Sequence, residues 1–139
     1  MKKQRIALLL LVMYFGLLVK VMVFKDIPMI RLGHLRFSFG GTQTGPANFV
    51  PFRSIWPYLS GQGGLLVGGI NLLGNIGLLV PVGYLAGYIF GKIPGGILFA
   101  LAVSCGLVIE GMQVLLRVGV FDVDDIILNG LGVLFGYWF

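Results

Sequence analysis

The amino-acid sequence predicts an all-α integral membrane protein, a four-transmembrane-helix bundle with a long extracytoplasmic loop between helices 1 and 2. The first observation is composition: of 139 residues, 58% are hydrophobic and only 11% are charged, and the mean hydropathy is +0.99. Soluble domains are typically about 25% charged. The second observation is four apolar runs, each close to the roughly 20 residues that a membrane-spanning helix needs. We therefore expect lipid to be the solvent of most of this chain.

The charge and cysteine content exclude some classes of protein. The formal net charge of +5 is small and scattered along the chain, so nucleic-acid binding is not predicted. In membrane proteins, basic residues more often flank the spans or contact anionic headgroups. The single cysteine, Cys105, lies in an apolar run. No internal disulfide is therefore possible, and the thiol is expected to be a small buried filler.

The first predicted span covers residues 6–24 and follows the basic residues Lys2, Lys3 and Arg5. A signal peptide begins in the same way, and the sequence leaves that alternative open. No small-x-small cleavage site follows, however, and the apolar run continues beyond Lys20. The purely basic flank predicts an amino terminus on the cytoplasmic side of the membrane.

The other predicted spans cover residues 65–90, 93–116 and 123–139. Only Gly91 and Lys92 separate the second span from the third, so these two form a tight helical hairpin. Pro81 lies inside the second span, where it should kink the helix and free a backbone carbonyl that a neighbour must satisfy. The last span is short and ends in three aromatic residues, 137–139, which suit a membrane interface.

The predicted loop covers residues 25–64 and is interrupted by prolines and glycines. Within it, Leu35, Phe37 and Phe39 alternate with polar residues, a pattern that indicates a short strand or an interfacial segment. Four spans and a cytoplasmic amino terminus place this loop outside. The basic residues in the loop run against the usual charge asymmetry between the two sides.

Glycine is abundant, with 23 residues, and several glycines recur at intervals of four. Gly83, Gly87 and Gly91 form one such series, and Gly132 and Gly136 form another. This spacing places small residues on one helix face, where two backbones can approach closely. We favour packing between helices of the same chain as the reason for this spacing. The alternative is an oligomer formed through the Gly83, Gly87 and Gly91 face.

Polar side chains inside the predicted spans form three stripes at helical spacing. The stripes are Asn71 with Asn75, then Glu110, Gln113 and Arg117, and then Asp122, Asp125 and Asn129. At about 1.5 Å rise per residue, all three lie at a similar depth and open toward the long loop. They predict a wet vestibule, beside which the loop brings Asn48 and Arg53. Asp124 lies off the stripe and is expected to be a solvated turn residue.

This polar cluster has a structural and a functional interpretation. In the structural one, the charged residues are a hydrogen-bonded knot, and each asparagine joins helices with about 1 kcal/mol or less. The functional one follows from the usual role of carboxylates inside membranes. In the functional interpretation, the acid/base or metal-holding groups are Glu110, Asp122 and Asp125. Substrate-binding residues are Asn48, Arg53, Asn71, Asn75, Gln113, Arg117 and Asn129, with either arginine placing its guanidinium over the carboxylates or a phosphate.

The sequence leaves the cofactor unknown and the metal question open. Carboxylate and amide oxygens suit Mg²⁺ or Ca²⁺, whereas Zn²⁺ is not expected without a set of histidines and cysteines. The only histidine, His34, has no ligand spacing around it. The serines Ser38, Ser54, Ser60 and Ser104 also have no histidine near them in the sequence. A Ser-His-Asp mechanism is therefore not predicted.

Five segments carry a resemblance to a known family. They are Asn48-Phe49-Val50-Pro51-Phe52, Asn71-Leu72-Leu73-Gly74-Asn75, Pro81-Val82-Gly83, Glu110-Gly111-Met112-Gln113, and Phe121-Asp122-Val123-Asp124-Asp125 followed by Asn129 and Gly132. In this order they resemble the VanZ-like family of bacterial membrane proteins. The resemblance implies a multi-pass protein of the cytoplasmic membrane, and the best-known member lowers sensitivity to the glycopeptide antibiotic teicoplanin. It implies no particular reaction.

The chain departs from the family pattern at one position. Many relatives have an arginine directly after the glycine that precedes the Asp-rich segment, but here Val120 follows Gly119. Either Arg53 or Arg117 would therefore have to supply the positive charge.

Residues and resemblance together support two hypotheses. The first is a membrane factor that acts at the outer face on a cell-envelope lipid or lipid-linked precursor, as an enzyme or as a binding protein. The second is a non-enzymatic shield that limits the access or anchoring of the antibiotic. Expected partners are membrane lipids and either a lipid-linked envelope precursor or a lipoglycopeptide. Transport is a weaker third hypothesis, since four spans in a chain this short contain no inverted repeat of the usual kind.

Overall fold

A computed structural model describes residues 2–24, 30–32, 35–37, 46–60 and 65–139 of the chain. Among these, the side chains of residues 22–24, 30–32, 35–37, 65–68 and 70–71 are outside the description. In chain order the elements are α1 (Lys2–Phe24), β1 (Ile30–Leu32), β2 (Leu35–Phe37), α2 (Trp56–Leu59), α3 (Leu65–Phe90), α4 (Gly95–Leu115) and α5 (Val123–Trp138). The predicted helical fold is confirmed.

The predicted loop between α1 and α3 contains regular structure. β1 and β2 pair as a short antiparallel hairpin, in which Ile30 lies opposite Phe37 and Leu32 opposite Leu35. The strand predicted from alternation at Leu35 and Phe37 is thus present, whereas Phe39 lies outside the described residues. The one-turn helix α2 follows later in the same region.

Among the described residues, three helices are long and apolar enough to cross a membrane, over Lys2–Val21, Leu72–Phe90 and Gly95–Leu115. The fourth predicted span corresponds to α5, which has only 16 residues. That is a length of about 24 Å, short of a hydrocarbon core of about 30 Å. By length and composition the described residues therefore support three spans rather than four.

Glycines bring α5 into direct backbone contact with α3. A Cβ atom at Gly83 would overlap the carbonyl oxygen of Val133, and one at Gly136 would overlap that of Val80. Later residues of α3 meet later residues of α5, so the two helices run in the same direction. Packing within the chain is therefore confirmed for these glycines. Gly91 has φ +67, and a Cβ atom there would have no neighbour within 4 Å, as expected of a turn residue between α3 and α4.

The apolar core lies where α1, α3, α4 and α5 meet. Its buried side chains are Leu18, Leu79, Val82, Ala102, Ile109 and Val133. Near it, Pro81 lacks an N–H, so the carbonyl of Gly77 loses its helical donor. One residue further on, the carbonyl of Leu78 accepts a hydrogen bond from the Tyr14 hydroxyl of α1 at 2.8 Å. This contact ties α1 to α3 at the level of the proline.

Candidate functional site

Asp122 begins α5 and joins three parts of the chain. As the N-cap, it accepts the N–H of Asp124 on Oδ1 at 2.9 Å. The same oxygen accepts from Nδ2 of Asn48 at 2.8 Å, and Oδ2 accepts from the Ser54 hydroxyl. Its own N–H donates to Oε2 of Glu110 in α4 at 2.9 Å. One aspartate therefore connects α4, α5 and the segment before α2.

Asn48 fastens that segment to the start of α5 through backbone bonds as well. Its N–H donates to the carbonyl of Phe121 at 2.8 Å, and its carbonyl accepts from the N–H of Val123 at 3.0 Å. The ring of Phe49 stacks on that of Phe121, with centroids 5.1 Å apart. The Asn48 side chain is buried, and its Oδ1 accepts from the N–H of Val50 at 3.1 Å.

Asp124 is fully buried, with 0% of its surface exposed. Its carboxylate accepts the backbone N–H of Phe52 at 2.5 Å, that of Ser54 at 2.7 Å and that of Ile55 at 3.3 Å. Phe52 has φ 67, a left-handed conformation that is costly for a bulky residue. The Asp124 carboxylate stabilises this turn by satisfying three donors. The prediction of a solvated turn residue is therefore wrong, because these N–H groups lie directly beside the first turn of α5.

A second polar contact joins α5 to α3. Nδ2 of Asn75 donates to Oδ1 of Asp125 at 3.0 Å, and both side chains are half-buried. One turn further along α5, Asn129 is fully buried. Neither Nδ2 nor Oδ1 of Asn129 has a hydrogen-bond partner within the described part of the chain. The side chain of Asn71, which was predicted to lie on the same helix face as Asn75, is outside the described residues.

Similarity to known proteins extends over nearly the whole molecule. The family described as VanZ/LLP1 matches residues 7–139. The chain belongs to this family. No curated protein and no solved structure matches it. The match to VanZ/LLP1 extends beyond the five segments that carried the resemblance and includes α1.

In this VanZ/LLP1 protein the structure brings most of the predicted site residues to one end of α4 and α5, but at different depths of burial. Asn48, Glu110, Gln113 and Asn129 are buried, and Glu110 is only 1% exposed. Asn75, Asp122 and Asp125 are half-buried. The buried members pack in the interior, so among these seven residues only Asn75, Asp122 and Asp125 can line the predicted vestibule.

The two predicted arginines, Arg53 and Arg117, are both exposed. Arg117 has φ 56 and follows the end of α4. The sequence allowed either arginine to lie over Glu110, Asp122 and Asp125 or over a phosphate. In the structure, the oxygens of Asp122 accept hydrogen bonds from an amide, a hydroxyl and a backbone N–H.

Sequence reasoning missed two residues of this VanZ/LLP1 site. Ser54 was considered only as a nucleophile, yet its hydroxyl donates to Asp122 and accepts from Asn48 at 3.1 Å. Asp124 was set aside because helical spacing excluded it from the stripe. Both make their contacts with segments distant in the chain. The one available signal was the position of Asp124 in the first turn of a helix, where its carboxylate can accept backbone N–H groups of a neighbouring segment.

The metal-holding role left open by the sequence gains no support from the described residues. Among them, no three Asp, Glu, His or Cys side chains are placed to hold one metal ion together.

Proposed function

We propose that this VanZ-like membrane protein acts at the outer face of the bacterial cytoplasmic membrane on a cell-envelope lipid or lipid-linked precursor. The action would reduce sensitivity to teicoplanin-type glycopeptides. One observation carries the proposal: half-buried Asp125, which accepts a hydrogen bond from Asn75 of α3, lies in the first turn of α5 beside the Asp122 network, at one end of the spans. Carboxylates at such positions are costly and usually functional. Membership of the VanZ/LLP1 family supports the link to the antibiotic.

The proposed orientation has a cytoplasmic amino terminus. The basic residues Lys2, Lys3 and Arg5 are exposed at the start of α1, and Lys92 is exposed in the turn between α3 and α4. With α1, α3 and α4 as spans, both groups lie on the same side of the membrane. The positive-inside rule favours the cytoplasm for that side. The start of α5, with its carboxylates, then lies on the outer side.

The proposed roles follow from exposure. Asp125 and Asp122 are half-buried and can contact a substrate as acid/base groups, with Asn75 orienting it. Glu110 is 1% exposed and holds the N–H of Asp122, so it acts as a positioning residue. Arg53 and Arg117 are exposed and would hold an anionic headgroup, since a guanidinium binds phosphate through paired hydrogen bonds. Asn48, Gln113 and Asn129 are buried and act from within the protein, and Asn71 completes the proposed binding set.

The test is a susceptibility comparison in a sensitive Gram-positive host that expresses the chain, its Asp125→Asn variant or an empty vector. Teicoplanin and vancomycin are compared, and the abundance of each protein in the membrane is measured in parallel. We expect protection against teicoplanin that is lost in an equally abundant Asp125→Asn variant. Lys92→Gln, an exposed change at the opposite end of α4, serves as the matched control and should protect like wild type. Equal protection by Asp125→Asn would overturn the assignment.

The exposed apolar side chains before and within α2 favour a second candidate function, the non-enzymatic shield. Phe49, Phe52 and Trp56 are all exposed. A shield limits the access or anchoring of the antibiotic through such surfaces, and its carboxylates matter only for folding. It therefore predicts that Asp125→Asn protects whenever its abundance is normal. Self-association through the Gly83 face would require α5 to move, because α5 already covers Gly83.

A further inference from the structure

The length of α4 indicates where the membrane ends. Its apolar stretch, Gly95–Leu115, has 21 residues, which is about 31 Å of helix and matches a hydrocarbon core of about 30 Å. Exposed basic residues flank it on both sides, Lys92 before and Arg117 after. Leu115 therefore lies close to the hydrocarbon boundary on the side where α4 ends.

The start of α5 lies deeper than that boundary. Glu110 precedes Leu115 by five residues, or about 7 Å along the helix axis. Oε2 of Glu110 accepts the N–H of Asp122 at 2.9 Å, so the two groups are at the same depth. Asn48 and Ser54 both donate to the Asp122 carboxylate. The segment that contains them is thereby held below the end of α4, within one leaflet.

The outward surface of this segment is suited to such a position. Between residues 46 and 60 the only charged side chain is Arg53. The exposed large apolar side chains are Phe49, Val50, Phe52, Trp56 and Leu59. Trp56 has 65% of its surface exposed. Clustered exposure of this kind marks a surface that contacts something other than water.

The backbone of the segment is satisfied from within the protein. Irregular backbone is tolerated at membrane depth only where the protein supplies hydrogen-bond partners. The buried Asp124 carboxylate accepts the N–H groups of Phe52, Ser54 and Ile55. The carbonyl of Phe121 accepts the N–H of Asn48. Polar backbone thus faces α5, while apolar side chains face outward.

We propose that residues 48–59 form an interfacial wedge inserted into the leaflet on the side where α4 ends. Phe49, Phe52 and Trp56 lie among the upper acyl chains, and Arg53 reaches the lipid phosphates, as long basic side chains do at an interface. The occupant of this surface is lipid. The depth of the segment points to lipid, and so do the contacts of α2 with α3, which is itself long and apolar enough to cross a membrane. The inference concerns lipid contact alone and holds whatever molecule the protein acts on.

The test uses the two tryptophans of the chain, Trp56 and Trp138. A Trp138→Phe variant of the full chain is reconstituted into vesicles of phosphatidylcholine and phosphatidylglycerol. The acyl chains are unlabelled, brominated near the glycerol, or brominated near the methyl end. We expect Trp56 emission to be lost most with bromine near the glycerol, and acrylamide in the water to quench it weakly. The reciprocal Trp56→Phe variant reports Trp138 alone and serves as the control for reconstitution.

Two outcomes would overturn the wedge. Strong acrylamide quenching without bromine quenching would place Trp56 in water, and protection from both quenchers would mean that protein, such as a second copy, covers it. A second readout uses Cys105→Ala, which removes the only cysteine. In that background, an impermeant maleimide should label Arg117→Cys, which lies beyond the end of α4, and spare Trp56→Cys, and equal labelling would contradict the wedge. Neither readout involves an antibiotic, so this result is independent of the susceptibility test.

Discussion

The carboxylate of Asp124 accepts the backbone N–H of Ser54 at 2.7 Å, although the two residues are 70 positions apart in the chain. The same carboxylate also holds the N–H groups of Phe52 and Ile55. It therefore replaces the water that an irregular segment would otherwise need. This contact fixes the loop on α5 and determines which side chains of the loop point outward.

Replacing Asp124 with alanine should destabilise the protein strongly. Each backbone N–H left buried without a partner costs about 1–3 kcal/mol, and Asp124 satisfies three of them. We expect a clear fall in melting temperature in detergent and in abundance in the membrane. Asp125→Ala, at a half-buried neighbour in the same turn, is the comparison and should cost less. A melting temperature for Asp124→Ala equal to that of wild type would show that the carboxylate does not hold the loop.

Gly136→Ala should separate α3 from α5. A Cβ atom at this position would overlap the carbonyl oxygen of Val80, which is backbone and cannot rotate away. Overpacking of this kind typically costs about 1–3 kcal/mol of unfolding free energy. The matched control is Gly77→Ala in α3, where nothing lies within 4 Å of the added methyl group. That change should be neutral or stabilising by about 0.5–1 kcal/mol, since alanine favours helix over glycine.

Thermal unfolding of the two glycine variants in the same detergent measures the difference. If Gly136→Ala and Gly77→Ala melted together, the close approach of α3 and α5 would be refuted.

Tyr137→Phe should loosen the turn between α3 and α4. The Tyr137 hydroxyl accepts the N–H of Ile93 at 2.7 Å and donates to the carbonyl of Gly91 at 3.2 Å. Its loss leaves these groups without partners and should cost about 1 kcal/mol, because part of the turn is open to water. Tyr88→Phe, at an exposed position of α3, provides the reference. Faster hydrogen exchange at the Ile93 amide is the specific readout, and unchanged exchange would contradict the assigned bonds.

Asn129→Leu distinguishes a structural from a functional asparagine. The amide is fully buried, and neither of its polar atoms is hydrogen-bonded within the described residues. A buried polar group of this kind costs about 1–3 kcal/mol, so an apolar replacement of similar shape should leave stability unchanged or raise it. Asn75→Leu, which removes the donor to Asp125, should instead lower the stability of the protein.

The susceptibility assay then decides whether Asn129 has a functional role. Loss of teicoplanin protection by a fully stable Asn129→Leu protein would assign the amide to substrate binding. A marked loss of stability would refute the prediction, since it would mean that the amide is satisfied in the folded protein.

Much of the helical framework could be predicted without the structure. The second span was predicted at residues 65–90, and α3 runs over Leu65–Phe90. α4, over Gly95–Leu115, lies within the predicted 93–116. The polar stripes that contain Asn75 and Asp125 were predicted to lie at a similar depth, and these two side chains are hydrogen-bonded. By contrast, the difference in burial between Glu110, which is buried, and Asp122, which is half-buried, was not predicted. Helical spacing places residues on a face but does not show what covers that face.

The sequence by itself determined where the chain is helical and which residues each helix presents together. Apolar length, turn residues and the 3.6-residue period are local properties, so they can be counted along the chain. Only the tertiary structure decided that Asp124 is buried, that Ser54 joins the network and that the arginines are exposed. Those outcomes depend on how residues 46–60 return to the start of α5, where donors from a distant segment fill the carboxylates. No local period encodes that return, because hydrogen-bond partners across long separations are set by the packing of the whole bundle.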